Sequence, residues 1–265
     1  MILGVDFTCA PRPAKTITVA FGRWNGDLLV VERFDRLADF GSFEALLAQP
    51  GPWIGGFDLP FGLPSELIHD LGWPGEWRAL VSHCEAMTRA EFREVLDAYR
   101  ATRPAGRKYA HRETDGPAGS SSPMKLVNPP VALMFHEGAR RLAAAGLHIP
   151  GLATGDRTRV ALEAYPGLLA RSIARGSYKS DTRSEQTAAR AAVRKQILAA
   201  LRSGGHRLRI RVKFAAGLER QAQSDGSGDL LDAALCCVQA AWASRKRSFG
   251  LPRKIPACEG WIVSA

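Results

Sequence analysis

The sequence predicts an α/β protein in which helices cover one sheet. Three strand-like segments open the chain, a helix-like segment separates them from a fourth strand, and a long apolar helix lies near the end. Strands that are connected through helices in this way form layered α/β folds.

The first three strands are predicted by their residue types. Ile2–Phe7 is a short apolar run, and Thr16–Phe21 (TITVAF) is rich in β-branched residues. Asn25-Gly26 is a strong hairpin signal, so Asp27–Phe34, which contains LLVVERF, is expected to pair with the strand before it. These segments indicate three antiparallel strands in series.

Helix and strand then alternate along the chain. A helix opens near Ser42 and ends at Pro50-Gly51-Pro52, and Trp53–Asp58 (WIGGFD) is the fourth strand. Arg159–Ala164 (RVALEA) is predicted as the fifth strand. The last helix runs from about residue 228 to residue 244 and is almost entirely apolar or small after its first turn, which predicts that it is buried.

The chain between these two strands has a different character. Helices are predicted at Trp77–Met87, Arg89–Ala101 and Val131–Ala145, and a loop rich in Gly, Ser and Pro covers Arg103–Pro130. Because the sheet resumes afterwards, we interpret residues 1–265 as one domain. It carries an insertion at about residues 61–157 that forms a subdomain or a lid.

Composition excludes several classes of protein. Hydrophobic residues make up 46% of the chain and charged residues 23%, which excludes wholesale disorder. No stretch has the apolar length of a membrane span, and the start, MILGVDF, is unlike a secretory signal. The 5 cysteines contain no Cys-x-x-Cys pair, so neither a zinc site nor a disulfide framework is indicated. We therefore expect a cytoplasmic protein with no membrane partner.

Positive charge is concentrated in one part of the chain. The net charge is +10, and the segment from Arg171 to Arg220 contains 13 Lys and Arg against 3 acids. Clustered cations favour a polyanionic partner, because affinity for such a partner comes from the release of phosphate counterions. A solvated surface that is simply rich in arginine is the alternative interpretation.

Five acidic residues occupy apolar strands and an apolar helix, where a buried carboxylate would destabilise the folded protein. Asp6 lies in the first strand, Asp58 ends the fourth and Glu163 lies in the fifth, while Asp229 and Asp232 share one face of the last helix. Each also has an ordinary explanation: turn capping for Asp6 and Asp58, a charge at a helix start for Asp229, and a basic neighbour for Glu163. If strands one and four are neighbours, these acids meet at one end of the sheet.

Several buried carboxylates repel one another and need a proton or a cation. Mg²⁺ and Mn²⁺ prefer oxygen ligands, and pairs of such ions stabilise the attacking and leaving oxygens in phosphoryl chemistry. The acids therefore predict a divalent metal site.

The chain resembles known families in specific motifs. The two acids three apart on the last helix resemble the closing helix of RuvC-type resolvases, and the order of elements resembles the ribonuclease H-like fold. More closely, the chain resembles the bacterial DUF429 family, described as predicted nucleases with that fold. Six motifs carry this resemblance: GVDFTCAP (4–11), GFDLPFG (56–62), VNPPV (127–131), EAYPG (163–167), GDLLDA (228–233) and EGWI (259–262).

This resemblance implies a ribonuclease H-like mixed five-stranded sheet in the order 3-2-1-4-5, with flanking helices and a large helical and loop insertion after strand 4. It implies that Asp6, Asp58 and Asp232 bind Mg²⁺ or Mn²⁺, with Asp6 bridging metal ions, and that Asp229 and Glu163 assist catalysis. The expected activity is metal-dependent phosphodiester hydrolysis of nucleic acid, in which an activated water attacks the phosphorus.

Basic residues in two regions are candidates for nucleic-acid contacts. In RLRIRVKF, the basic side chains alternate with apolar ones, so they share one face of a strand at a spacing of about 6.6–7 Å. The insertion loop contains a second set, for which two interpretations stay open: a lid that grips phosphates, or a solvated loop without a binding role. The candidates are Arg107, Lys108, Arg112 and Lys125 in the loop, and Arg207, Arg209, Arg211 and Lys213 in the strand.

Two other functions fit parts of the sequence. A non-catalytic nucleic-acid-binding module on the same fold would bind in a salt-sensitive manner without metal or turnover. An actin-like phosphotransferase also begins with a Gly-x-Asp strand, but it needs two duplicated halves and only one is visible in this chain.

Overall fold

A computed structural model describes residues 1–265. The strands form one mixed sheet in the order β5-β6-β4-β1-β2-β3-β7. β1 is parallel to β4 and antiparallel to β2, so the strand that carries Asp6 lies in the middle of the sheet. The strands are β1 (Ile2–Asp6), β2 (Ile17–Asn25), β3 (Leu28–Leu37), β4 (Trp53–Asp58), β5 (Leu147–His148), β6 (Asp156–Glu163) and β7 (Arg211–Phe214).

The expected count of five strands is wrong, because the sheet has seven. The additional strands lie at the two edges. β5 contains 2 residues, too few to show any periodicity in the sequence. β7 is shorter than the predicted Arg207–Phe214 strand because Arg209 adopts a left-handed backbone conformation with φ of 54°, which interrupts the extended chain.

The helices cover both faces of the sheet. Helix α4 begins with a capping box between Thr88 and Glu91. Helix α8 begins after Thr187, whose side chain caps it by accepting a hydrogen bond from the backbone N–H of Arg190. The helices are α1 (Phe40–Leu47), α2 (Ser65–Asp70), α3 (Trp77–Glu85), α4 (Arg89–Thr102), α5 (Asp115–Ala118), α6 (Val131–Ala144), α7 (Pro166–Ile173), α8 (Ala188–Ser203), α9 (Leu218–Ser224) and α10 (Asp229–Ser244).

Alternation along the strands divides the core into two layers. Leu3 and Val5 of β1 face a cluster of 37 buried residues to which the insertion helices α2, α3, α4 and α6 contribute. Ile2 faces the opposite way, into a cluster of 25 buried residues built with α7, α8 and α10. Because successive side chains of a strand point to opposite faces, Asp6 lies on the α10 side of the sheet.

Two glycines allow α10 to lie directly on the sheet. A Cβ atom on Gly4 would stand 2.0 Å from the carbonyl oxygen of Ala233, and one on Gly56 would stand 2.6 Å from that of Cys236. Neither glycine can therefore carry a side chain without moving the helix. This close contact brings the first turn of α10 over the ends of β1 and β4.

A buried ion network stabilises the insertion side. Glu137 of α6 is 3% exposed, and its Oε2 accepts hydrogen bonds from Arg140 at 2.6 Å and Arg141 at 2.7 Å. Burial acts to raise the pKa of Glu137, but the adjacent His136 ring and the hydrogen bonds from Arg141 and Arg140 outweigh it and lower the pKa from 4.5 to about 2. The folded state therefore holds this carboxylate more strongly in its charged form.

We expect this network to weaken in acid. Because the pKa of Glu137 is lower in the folded state, its stabilising effect is present above pH 4.5 and is lost as the pH falls towards 2. Glu137→Gln should lower the free energy of unfolding at pH 7 by about 2 kcal/mol, and wild type and variant should converge near pH 2. Urea denaturation across this pH range measures the effect, and parallel curves would contradict it.

Candidate functional site

Four aspartates meet at the carboxyl ends of two central strands of the sheet. Asp6 and Asp58 are the last residues of two adjacent parallel strands and are paired in register, so their side chains lie on the same face. Asp229 and Asp232 lie in the first turn of α10, above that face. Asp6, Asp229 and Asp232 are all at least nine-tenths buried, with exposures of 9%, 5% and 0%.

The carboxylates strongly influence one another. Burial raises the pKa of Asp6 well above 3.8, and the charges of Asp232 and Asp229 raise it further. Burial also raises the pKa of Asp58, to about 7, with Lys179 lowering it and Asp232 raising it. No hydrogen bond contributes to either shift. The charged forms of Asp6 and Asp58 are therefore left without sufficient compensation from the protein.

Two lysines and a tyrosine accompany the aspartates. Lys179 Nζ contacts Asp232 Oδ2, and the hydroxyl of Tyr178 donates to Asp232 Oδ1. Lys15 Nζ lies 2.8 Å from Asp229 Oδ1 and 2.8 Å from Asp181 Oδ1. Sequence reasoning missed all three residues, because they lie in loops without periodicity and are 53 or more positions from their partners on α10.

The donor chemistry suits a hard divalent cation. Carboxylate oxygens are the ligands that Mg²⁺ and Mn²⁺ prefer. Thr18 is paired in register with Asp6, and its buried hydroxyl has no hydrogen-bond partner, which adds a free oxygen beside the aspartates. As the side chains stand, no group of three or more His, Cys, Asp or Glu residues is placed to hold a metal ion. The ammonium groups of Lys15 and Lys179 instead contact the acids of α10.

Glu163 does not join the four aspartates. It is paired with Phe57 rather than Asp58, so its side chain lies on the opposite face of the sheet. There, Arg112 donates to both of its carboxylate oxygens, at 2.8 and 2.7 Å, and the backbone N–H of Phe61 donates to Oε2 at 3.0 Å. Glu163 therefore anchors the insertion to β6.

The C-terminal segment reinforces this anchor. Arg112 also donates to the carbonyl oxygen of Glu259 at 3.0 Å. The Glu259 carboxylate accepts one hydrogen bond from the backbone N–H of Ser65 at 2.7 Å and another from that of Glu113 at 2.8 Å. Two distant parts of the insertion are thus held by one side chain from the end of the chain.

Comparison with known proteins gives a family. The family model described as "Protein of unknown function (DUF429)" matches residues 4–256. The chain belongs to the DUF429 family. This confirms the family predicted from the motifs, and the matched range contains all four aspartates and Glu163. No curated protein and no solved structure matches this DUF429 protein. None of its helices combines the length and apolar character that crossing a bilayer requires.

The basic residues of the DUF429 protein lie in three different settings. Arg112 is 4% exposed and fully engaged with acids, so it does not present its guanidinium to solvent as predicted for a nucleic-acid contact. Arg107 is exposed and Lys108 half-buried, and Lys125 Nζ donates to the carbonyl oxygen of Asn128 at 2.6 Å. The remaining four, Arg207, Arg209, Arg211 and Lys213, are exposed in and before β7.

The basic strand β7 is the edge strand next to β3, and it lies level with the start of β1, whereas the aspartates lie at the other end of β1. The last residue of β7, Phe214, is paired with Val31 of β3. Val31 is paired with Gly22 of β2, which in turn is paired with Ile2 at the start of β1. Asp6 is four residues further along, or about 13 Å. Arg211 and Lys213 therefore do not flank the aspartates.

The DUF429 protein offers a clear test of the anchoring role of Glu163. Arg112→Met should lower the free energy of unfolding by about 3–5 kcal/mol, because it leaves two buried carboxylates, Glu163 and Asp115, without their cation. The exposed Arg207→Met is the matched control and should change stability little. Chemical denaturation measures both. Equal stability of the two variants would contradict the anchoring role.

Proposed function

We propose that this protein hydrolyses phosphodiester bonds of nucleic acid with Mg²⁺ or Mn²⁺. One observation carries the proposal: Asp6, Asp58 and Asp232, from three separate elements, converge at the carboxyl ends of two central parallel strands. The raised pKa values of these carboxyls support it. Burying several carboxylates together lowers the stability of the folded protein, and strongly shifted pKa values of this kind are typical of functional sites.

We further propose that the fold is a ribonuclease H-like one. The run β3-β2-β1-β4-β6 within the larger sheet supports this assignment, because it corresponds to the order 3-2-1-4-5 implied by the motifs. The position of acids at the ends of β1 and β4 and at the start of the last long helix also supports it.

The aspartates have distinct roles in this proposal. A bound divalent cation would supply the charge that activates a water molecule and neutralises the phosphate. Asp6, which lies between its neighbour Asp58 and the overlying α10, would be the shared metal ligand, and Asp58 and Asp232 would complete the ligand set. Asp229 assists by holding Lys15 at the rim of the cluster. The amino end of α10 adds a partial positive charge that favours anionic groups.

Nucleic acid is the proposed partner. The net charge of +10 supports a polyanion, and the exposed cations Arg107, Arg209, Arg211 and Lys213 are candidates for contacts with its backbone. We also propose a cytoplasmic location, which is supported by five cysteines that are all free and buried.

The activity is tested with single- and double-stranded DNA and RNA, each incubated with Mg²⁺, Mn²⁺ or a chelator. Cleavage that requires the cation and is lost in the Asp6→Asn variant is the expected result. Equal cleavage by wild type and variant, or no cleavage of any substrate, would overturn the proposal.

A second function is favoured by the two ion pairs at the acids. Lys179 already contacts Asp232 and Lys15 contacts Asp229, which is an arrangement that a binding module without metal would retain. Such a module binds nucleic acid with an affinity that falls steeply with salt and is indifferent to chelators. Fluorescence anisotropy with and without a chelator separates the two functions.

A further inference from the structure

A short segment between α7 and α8 closes over the aspartates. We define residues 177–181 as the strap. Its Ser180 N–H donates to the carbonyl oxygen of Gly226 at 3.1 Å, just before α10. Its Asp181 is joined through Lys15 to Asp229. The strap is thus attached to the segment before α10 and, through Lys15, to the first turn of α10.

A buried arginine of α8 binds the backbone of the strap. Arg194 of α8, which is 4% exposed, donates from Nη1 to the carbonyl oxygen of Tyr178 at 2.6 Å and from Nε to that of Gln223 at 2.8 Å. Tyr178 in turn donates its hydroxyl to Asp232. These contacts tie Tyr178 of the strap to α8 and to Asp232 of α10.

Lys179 is the exception to this fixed arrangement. Its side chain is 42% exposed, whereas that of its partner Asp232 is 0% exposed. The ammonium is therefore a cation on a flexible four-carbon stem that reaches from solvent into a buried acidic cluster. Its charge acts on Asp6 and Asp58 as well as on Asp232, which places it close to the centre of the aspartates.

We infer that Lys179 is an exchangeable cation, which compensates the aspartates in the ion-free protein and is displaced from Asp232 when a divalent cation binds there. This inference rests on the proposed function. A dication offers these acids more charge than an ammonium does, and the two cations repel each other at such short range. The displaced ammonium then stands at the rim of the site, where it is free to contact a phosphate oxygen of the substrate.

This role differs from that of a permanent structural ion pair. A permanent partner of Asp232 would stay on that carboxylate when a divalent cation binds, so its loss would leave affinity for a phosphate backbone unchanged and would alter affinity for a divalent cation only through the missing charge. An exchangeable cation competes, so its loss raises that affinity. The same loss lowers affinity for a phosphate backbone once the divalent cation is bound. The two effects of one substitution therefore have opposite signs.

The experiment titrates Mn²⁺ alone into wild type and Lys179→Met by isothermal calorimetry. We expect Mn²⁺ to bind the variant at least tenfold more tightly. At saturating Mn²⁺, we expect the variant to bind an oligonucleotide with non-hydrolysable linkages at least fivefold more weakly. Lys195→Met is the matched control, because Lys195 is an exposed lysine on α8, and it should leave both affinities unchanged.

Equal Mn²⁺ affinity in wild type and Lys179→Met would overturn this inference and leave the proposed cation site standing. An absence of Mn²⁺ binding in both proteins would overturn the inference and the proposed function together. Should Lys179→Met not fold, Lys179→Gln removes the charge, retains a polar group facing Asp232 and is judged by the same two affinities.

Discussion

Replacing Asp6 by asparagine is expected to slow hydrolysis by orders of magnitude and at the same time to stabilise the ion-free protein. The charges of all three other aspartates act on Asp6, and its loss removes the bridging ligand of the proposed site. We expect the rate to fall on the order of 10²–10³-fold, the range found when one preorganised electrostatic contact is removed from an active site.

The gain in stability has an independent physical reason. The pKa of Asp6 is raised in the folded state, so the ionised side chain opposes folding increasingly as the pH rises above 3.8. Asparagine carries no such charge, so the difference in melting temperature between variant and wild type should grow from pH 4 towards pH 8. Thermal melting in chelator measures this difference across the pH range.

The matched control for this prediction is Asp97→Asn. Asp97 lies on α4, its side chain is 57% exposed, and its salt bridge is with Arg100 on the same helix. We expect neither activity nor the pH dependence of melting to change, because exposed ion pairs contribute little. An Asp6→Asn variant that behaves like this control would show that the buried aspartate has no part in function.

Substituting Gly4 by alanine is expected to have the largest effect on stability. The added methyl group would stand 2.0 Å from the carbonyl oxygen of Ala233 and 2.1 Å from the backbone nitrogen of Cys237, and both atoms belong to the backbone of α10. The helix must move away from β1, which opens the centre of the core. We expect a loss of about 4 kcal/mol or more, or a fall in melting temperature of about 10 °C.

Gly116→Ala is the control, because a Cβ atom there meets nothing within 4 Å. Circular dichroism melting of the two variants gives the comparison. The Gly4 variant should also bind Mn²⁺ more weakly, since the same movement separates Asp232 from Asp6. A Gly4→Ala variant with the same melting temperature as the wild type would mean that α10 does not pack on β1 as described.

The sequence predicts the elements that carry the aspartates but not the contacts between them. WIGGFD and the apolar helix after residue 228 have clear local patterns. The strand carries an acid at its last residue, and the helix carries two acids in its first turn. That Asp6 and Asp58 are neighbours depends on parallel pairing between strands almost fifty residues apart, which no local pattern encodes. Glu163 illustrates the same limit. It is paired with Phe57, and a shift of one residue in the pairing of β6 with β4 would align it with Asp58, on the other face of the sheet.

The cations are harder to predict than the acids. The alternation in RLRIRVKF correctly indicates a strand, but its position in the sheet depends on pairing with the first residues of β3. Lys15 and Lys179 lie in loops, where neither periodicity nor spacing restricts the side chain. In the sequence, Arg112 cannot be distinguished from an exposed cation in a polar loop. Only its salt bridges with the buried carboxylates of Glu163 and Asp115 explain its role.

The hydrogen bonds that Glu259 accepts have a consequence for how the molecule is made. The residue reaches back 146 positions to the backbone of Glu113. At about 5–20 residues per second, translation takes on the order of 10 s to cover that distance. The insertion therefore emerges from the ribosome long before the side chain that fastens it. A nascent chain must keep this region from misfolding or being cleaved until Glu259 has been translated.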